Sequence, residues 1–410
     1  MTLLRQWLRR LGVWLGAFLV LSAGAWTVWN FAASRALQQA LERLAAAGLP
    51  TSPAQVRPAE ARPQDNAAPL YRAAFALLDA LPEESADVDL DLEKLPELPE
   101  EAHRAVESAS DALDLLGRAA ELPRCVHPLK YEMGIRMEVP HLLPIRKLSR
   151  LLAARAVVRA EAGNFDGAVS DLHALFAMAR SLREEPVLVD QLVRFAVDRI
   201  GLRALEVLLP RLESPVRDLD RVRPDAPRGA VAFAQRGEIV LIALRTLDQD
   251  VLEDLDSVLG SSQEAGLLRL GWLARPYLKS DMARLLDLFR SFAHIAVRPY
   301  REAIPTWDAA AQEAVLQGGV LVRLYCSNTS HVLHDEARIV AQAELARAAA
   351  LCLEHRKKRG AFPQTLDELE TKAPEDPMAG KPFQLRREGG EVVLSSAADA
   401  EVTWRLPDVK

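Results

Sequence analysis

Two histidines one helical turn apart, His331 and His334, are followed at once by Asp335 and Glu336. Residues three apart on a helix share a face, so this group could ligate one metal ion and supply metal-dependent hydrolysis. The same residues follow Ser327-Asn328-Thr329-Ser330, a helix-start signal, and acidic side chains in a first helical turn are favoured by the helix dipole alone. A helix opening is therefore the simpler reading of the cluster.

A second group lies between Pro123 and Pro144, where Cys125, His127, Lys130, Tyr131, Glu132, Arg136, Glu138 and His141 occur without helical or strand periodicity. Irregular polar segments laid over a helical scaffold often line binding sites. If this one does, its titratable groups converge on one cavity; if it is a connector, they face outward and apart. A third group, Asp87, Asp89 and Asp91, has the alternate spacing of a calcium loop, but Leu92 stands where the turn glycine belongs and Leu98 where the bidentate glutamate belongs. It reads as a solvated acidic loop. No Gly-x-Ser-x-Gly, no P-loop and no Gly-x-Gly-x-x-Gly occurs, so neither a serine hydrolase elbow nor a phosphate cradle is present and no cofactor is implied.

The elements that must position these groups are mainly helical. Asp65-Asn66 caps a helix bearing Leu70, Tyr71, Ala74, Phe75, Leu77 and Leu78. From Pro144 to Pro210 the apolar spacing is helical almost throughout, broken by Gly163-Asn164-Phe165-Asp166-Gly167, so two helices pack there as an antiparallel hairpin. Further helices are expected near 186–209, 229–247, 262–273, 280–296 and 299–316, and a long one from His331 to Arg359 that Gly360 ends. A short helix follows, started by Thr365. Then come two strands, 383–387 and 391–395, joined by Glu388-Gly389-Gly390, with a third at 402–406. The fold class is mainly α, with an irregular multi-helix domain, helical hairpins and a small carboxy-terminal β element.

At the amino end, Arg5, Arg9 and Arg10 precede an apolar run from Leu11 to Ala33 that carries no charge. Roughly 20 residues at about 1.5 Å each cross a bilayer. Cations stay cytoplasmic, so the expected arrangement is a cytoplasmic head (1–10), a transmembrane helix (11–33) contacting lipid, and a stalk with a proline-rich linker (34–63). An extracytoplasmic helical domain (64–330) and the long helix with its β element (331–410) follow. The competing reading is a signal peptide cleaved near Ser22-Ala23-Gly24-Ala25, although the chain continues bulky and apolar beyond it.

Composition excludes some functions. The chain of 410 residues has a net charge of -6, which argues against a nucleic-acid partner. Its one basic cluster, Arg356 to Arg359, closes the long helix, where cations complement the dipole. Cys125, Cys326 and Cys352 are too few for a disulfide framework, and an odd count leaves at least one thiol free within the chain.

The tail resembles the region after the long helix in the major pseudopilin of type II secretion systems. The resemblance rests on Gly360-Ala361-Phe362-Pro363-Gln364-Thr365-Leu366-Asp367-Glu368-Leu369, on Asp376-Pro377-Met378-Ala379-Gly380-Lys381-Pro382-Phe383, and on the hairpin after them. It departs at Ala397-Ala398-Asp399-Ala400-Glu401, which lacks the glycines of the pseudopilin calcium loop, and its anchor lies at the far end of the chain. Neither calcium binding nor polymerisation is carried over. Over its whole length the chain is similar to membrane-anchored helical proteins of planctomycete-like bacteria, through Asn66-Ala67-Ala68 with Tyr71, the passage from Cys125 to Pro128, the Gly163 hairpin, and the stretch from Glu185 to Val193. These resemblances imply an architecture and no activity. The expected function is a single-pass inner-membrane scaffold or interaction protein of the bacterial envelope with protein partners there. An accessory role in a secretion or pilus-like machine and a metal-dependent hydrolase are the alternatives.

Overall fold

The computed structural model describes residues 2–82, 98–224, 226–243, 271–329 and 331–407. Among them are thirteen α-helices and two small antiparallel sheets. The triad Asp87, Asp89 and Asp91 and most of the helix expected near 262–273 fall outside the described residues.

The first helix, α1 (Thr2–Ala46), is a single element of 45 residues, uninterrupted because no proline occurs before Pro50. Its two ends live in different surroundings. Residues 11–25 are exposed and carry no charge, while Ala33, Ala40 and Leu44 are buried. The burying surface belongs to α10 (Arg275–Ile295), and the two helices run side by side in the same direction: Trp26 meets Leu273, Ser34 meets Lys279, and Arg43 meets Asp287. The segment read as a stalk therefore does not stand free. Small and aliphatic residues at positions 33, 40 and 44 form a helical stripe, and such a stripe gains more from apolar burial than from solvation.

The body is built on consecutive helical pairs. Helices α2 (Ala68–Asp79), α3 (Glu100–Ser108) and α4 (Ser110–Ala120) cover one side of the hairpin formed by α5 (Leu142–Glu161) and α6 (Phe165–Ser181). The hairpin turn is made by Gly163 at φ +77, and Asn164 Oδ1 caps α6 by accepting from Gly167 N at 2.9 Å. Between the hairpin helices Asp171 is buried. It accepts from Arg155 Nη2 at 2.7 Å and from Arg159 Nη1 at 2.8 Å, and Arg155 reaches on to Asp114.

Helix α7 (Leu188–Leu208) packs on both hairpin helices and on the long α13 (Val332–Arg359). The remaining helices, α8 (Pro215–Val222), α9 (Ala230–Glu238), α11 (Tyr300–Gln317) and α12 (Val320–Thr329), fill the flanks. Short helices gain their ends from other elements. Asp281 on α10 accepts from Gly319 N at 2.9 Å and Leu321 N at 2.8 Å, which caps α12.

The tail forms a two-residue pair, β1 (Glu375–Asp376) with β2 (Lys381–Pro382), and a meander, β3 (Gln384–Glu388), β4 (Glu391–Ser395) and β5 (Thr403–Pro407). Leu385 pairs with Leu394 and Leu394 with Trp404, and the buried Leu394, Trp404 and Leu406 join the helical core. Asp376 explains its own motif. Buried, it accepts from Met378 N, Ser396 Oγ and Ala397 N, stitching the turn after β1 to the corner after β4. Thr365 does not cap the short 3-10 helix as expected; Glu368 instead accepts from Gln364 N at 2.9 Å, because its longer side chain reaches back over the turn. The basic cluster at the end of α13 is engaged: Lys357 donates to Leu212 O, Lys358 pairs with Glu370, and Arg356 lies over the ring of Phe362.

Candidate binding clefts

The passage from Arg124 to His141 is held at its start by Asn66. Asn66 Oδ1 accepts from both Ala68 N and Val126 N, so the residue that opens α2 also fixes the backbone between Cys125 and His127. Ala67 N donates to Arg124 O and Arg124 N to Asp65 O, a short parallel bridge. Asp65 lies in a 3-10 turn and Asn66 alone does the capping. Downstream, a 3-10 stretch (Tyr131–Arg136) turns on Gly134 at φ +56 and ψ -127, a conformation that side-chain-bearing residues avoid.

This geometry gathers much of the passage on one cleft of about 480 Å³. Lys130, Arg136 and Glu138 rim it with Arg72 and Asp79 of α2, and His127 and His141 reach it from below. The two imidazoles stack with centroids 4.2 Å apart. His141 Nε2 lies 3.2 Å from Asp190 Oδ1, close but out of line for a hydrogen bond, and Asp190 is wholly buried. Behind them Tyr131 donates to Glu185 Oε2 at 2.5 Å.

Not every expected residue joins the cleft. Glu132 turns away to pair with Arg57, and Cys125 faces a neighbouring cleft of about 400 Å³ lined by Tyr71, Arg124, Arg180 and Arg223. Cys125 Sγ approaches His127 Nε2 at 3.5 Å.

Electrostatics decide what chemistry the cluster can do. Burial, followed by the nearby His141 and Arg72, lowers the His127 imidazole to about 3, so it stays neutral. Burial and then Glu185 raise the Cys125 thiol, so the nucleophilic thiolate is suppressed. Burial pushes Glu185 up to about 8 against the hydrogen bond from Tyr131, and pushes Glu238 up to about 7. A protonated thiol beside a neutral imidazole is a packed polar cluster and lacks the activation of a nucleophile.

The His331 group does not converge. Glu336 points inward and is buried, accepting from Gly229 N at 2.9 Å, Val231 N at 2.6 Å and Tyr300 Oη at 2.6 Å, so it caps α9. His334 Nε2 sits 3.0 Å from Asp308, and Asp335 faces Arg199 at 3.6 Å. Among the described residues no three His, Cys, Asp or Glu side chains are placed to hold a metal ion. The three cysteines are buried and unpaired with one another, and burial raises Cys326 to about 11 and Cys352 to about 12.

A larger cleft, about 990 Å³, lies between the linker after α1 and α9. Arg57, Arg183, Arg194, Arg228 and Arg236 line it, with Glu184 the one acidic side chain among the described lining residues and Phe233 and Val297 as exposed apolar surface. Sequence reasoning missed this site, because its arginines come from separate stretches of chain. It also missed the buried polar face of α7, where Asp190, Arg194 and Asp198 recur every fourth residue. That spacing was the available signal, since charges of both signs on the face that also carries Val197, Gly201 and Leu205 mark an internal polar stripe.

No protein-family model, no curated protein and no solved structure matches this chain.

Proposed function

We propose that this chain is a single-pass, membrane-tethered interaction protein of the bacterial envelope, with its first ten residues cytoplasmic and its helical body outside. One observation carries the reading. A single helix passes from an exposed apolar stretch at residues 11–25 directly into a buried seam on α10, so the anchor is also part of the body's core. A body mounted in this way holds its surfaces in a fixed attitude to the bilayer. Three head arginines before the run set the orientation. The arginine-lined cleft is the partner-facing surface in this reading: with Arg57 paired to Glu132 and Arg194 buried, Arg183, Arg228 and Arg236 remain against Glu184, the one carboxylate among the described lining residues, which suits an acidic partner segment.

The experiment is topology mapping in native cells. A Glu388→Cys variant places a thiol at the exposed β3–β4 turn, whereas the native thiols are buried. The expected result is a chain that stays with membranes at alkaline pH and reacts with a membrane-impermeant maleimide before permeabilisation. Release into the soluble fraction, or reaction only after permeabilisation, would overturn the reading.

A further inference from the structure

Counting from Leu11, about 20 helical residues at about 1.5 Å each bring α1 across a bilayer core near Asn30. The body reaches α1 before that point. Trp26, one turn inside it, donates from Nε1 to Leu273 O at 3.2 Å and meets the ring of Trp272 edge to face, with centroids 5.1 Å apart. Trp272 and Leu273 nevertheless stay 61% and 46% exposed, at the level of α1 where Val28, Trp29 and Phe31 are exposed around its other sides. Both chain segments thus present aromatic and aliphatic side chains at the depth where the bilayer core gives way to headgroups.

Within the two contacting stretches of chain, charge has one sign. No Asp or Glu occurs from Leu11 to Leu41 or from Gly271 to Ser280, while Arg35, Arg275 and Lys279 fall in these two stretches. Arg35 lies over the ring of Phe31 at 5.9 Å, and Lys279 donates to Asn30 Oδ1 at 3.0 Å and Ser34 Oγ at 2.9 Å. Aromatic rings at the boundary with cations just above it match the layering of a lipid surface, whose phosphates lie outside the acyl chains.

We infer that the 3-10 turn leading into α10 (Gly271–Ala274) is a second membrane contact: Trp272 and Leu273 seat in the interfacial zone of the leaflet from which α1 emerges, Arg35 and Arg275 face its phosphates, and Lys279 ties the two helices together beneath them. This rests on the reading of α1 as a span. Two contacts on one rigid helix pair stop the body from swinging on its anchor.

The test is depth-dependent quenching on the full chain in phospholipid vesicles. Single cysteines replace Val20 in the span, Leu273 at the contact, and Leu143, an exposed residue of α5, as the reference. Each carries a thiol-linked fluorophore, and part of the phosphatidylcholine carries a nitroxide high on its acyl chain. The expected result is that the Val20→Cys and Leu273→Cys labels lose most of their fluorescence and the Leu143→Cys label keeps it. A Leu273→Cys label as bright as the reference, beside a quenched Val20→Cys label, overturns the second contact alone. If neither is quenched, the span and the contact both fall.

Discussion

Arg43 on α1 faces Asp287 on α10 as a two-pronged ion pair, with Nε 2.9 Å from Oδ1 and Nη2 2.6 Å from Oδ2. Both side chains are partly exposed, so water competes for the pair and it adds little to stability. It fixes the register of the two helices; the seam beneath it supplies the energy.

Leu44, like Ala40, is wholly buried in that seam. Truncation of Leu44 to alanine should cost about 2–5 kcal/mol through lost burial and the cavity left behind. Arg43→Ala should cost far less. Denaturant unfolding of both variants in the same detergent checks the ranking. Equal losses would mean that charge, and not packing, joins α1 to the body.

The buried acids and His127 give stability opposite pH dependences at the two ends of the range. Glu185 and Glu238, raised from an ordinary 4.5 to about 8 and about 7, bind protons more tightly when folded. Their contribution is complete below 4.5 and is lost as pH rises through their folded values. His127, lowered from 6.5 to about 3, contributes fully above 6.5, and that contribution is lost as pH falls towards 3. Melting temperatures should therefore fall as pH rises from 6.5 to about 8 and fall again as it drops from 4.5 to about 3. Glu185→Gln should flatten the alkaline limb and leave the acid limb intact. An unchanged alkaline limb in that variant would assign it to other groups.

Glu336 holds the buried Val231 N–H and Tyr300 hydroxyl and the half-buried Gly229 N–H. Glu336→Ala should lower stability by about 3 kcal/mol, because each orphaned buried donor costs on the order of 1 kcal/mol or more. His334→Ala, at a partly exposed contact with Asp308, should cost less than about 1 kcal/mol. A zinc titration should give the same weak heats for the wild type and His334→Ala. Tight zinc binding that the variant loses would restore the metal reading.

Two glycines should respond to alanine with opposite signs. A Cβ on Gly319 would lie 2.4 Å from the Asp281 carboxyl, which is locked to the start of α12, so Gly319→Ala should destabilise by about 1–3 kcal/mol. Gly117 within α4 has open space around it, and Gly117→Ala should stabilise by up to about 1 kcal/mol through helix propensity. Thermal melts of the two variants decide it, and a shift in the same direction for both would contradict the local geometry.

The elements legible in the sequence are those whose signal is local. The apolar run of α1, the Gly163 turn, the long α13 with its basic end, and the hairpin at Gly389-Gly390 all lie where their residues place them. Helices α3 and α4 went unread for want of a start signal, since they follow an acidic stretch and neither has a side-chain cap, although Ala102, Ala105 and Val106 and then Leu113 and Leu116 recur at helical spacing. The docking of residues 33–44 on α10 was hidden for a different reason. A stripe of alanines and leucines reads alike on a free stalk and on a buried seam, and its partner lies more than two hundred residues away. The clefts were half legible: the irregular passage at 124–141 announced one wall, while Asp190 and Glu185 beneath it arrive from α7 and the loop before it. Glu336 illustrates the limit most clearly, since a first-turn acid that serves its own helix dipole looks in sequence like one that caps another helix.

The central claim is that the anchor and the body are one rigid unit. Nitroxide labels at Val20→Cys on the exposed part of α1 and Val297→Cys just beyond α10, measured by pulsed electron resonance on the full chain in lipid nanodiscs, test it directly. The account predicts one narrow distance distribution, unchanged between short-chain and long-chain lipids. A broad distribution, as from a body swinging on a free stalk, would contradict it.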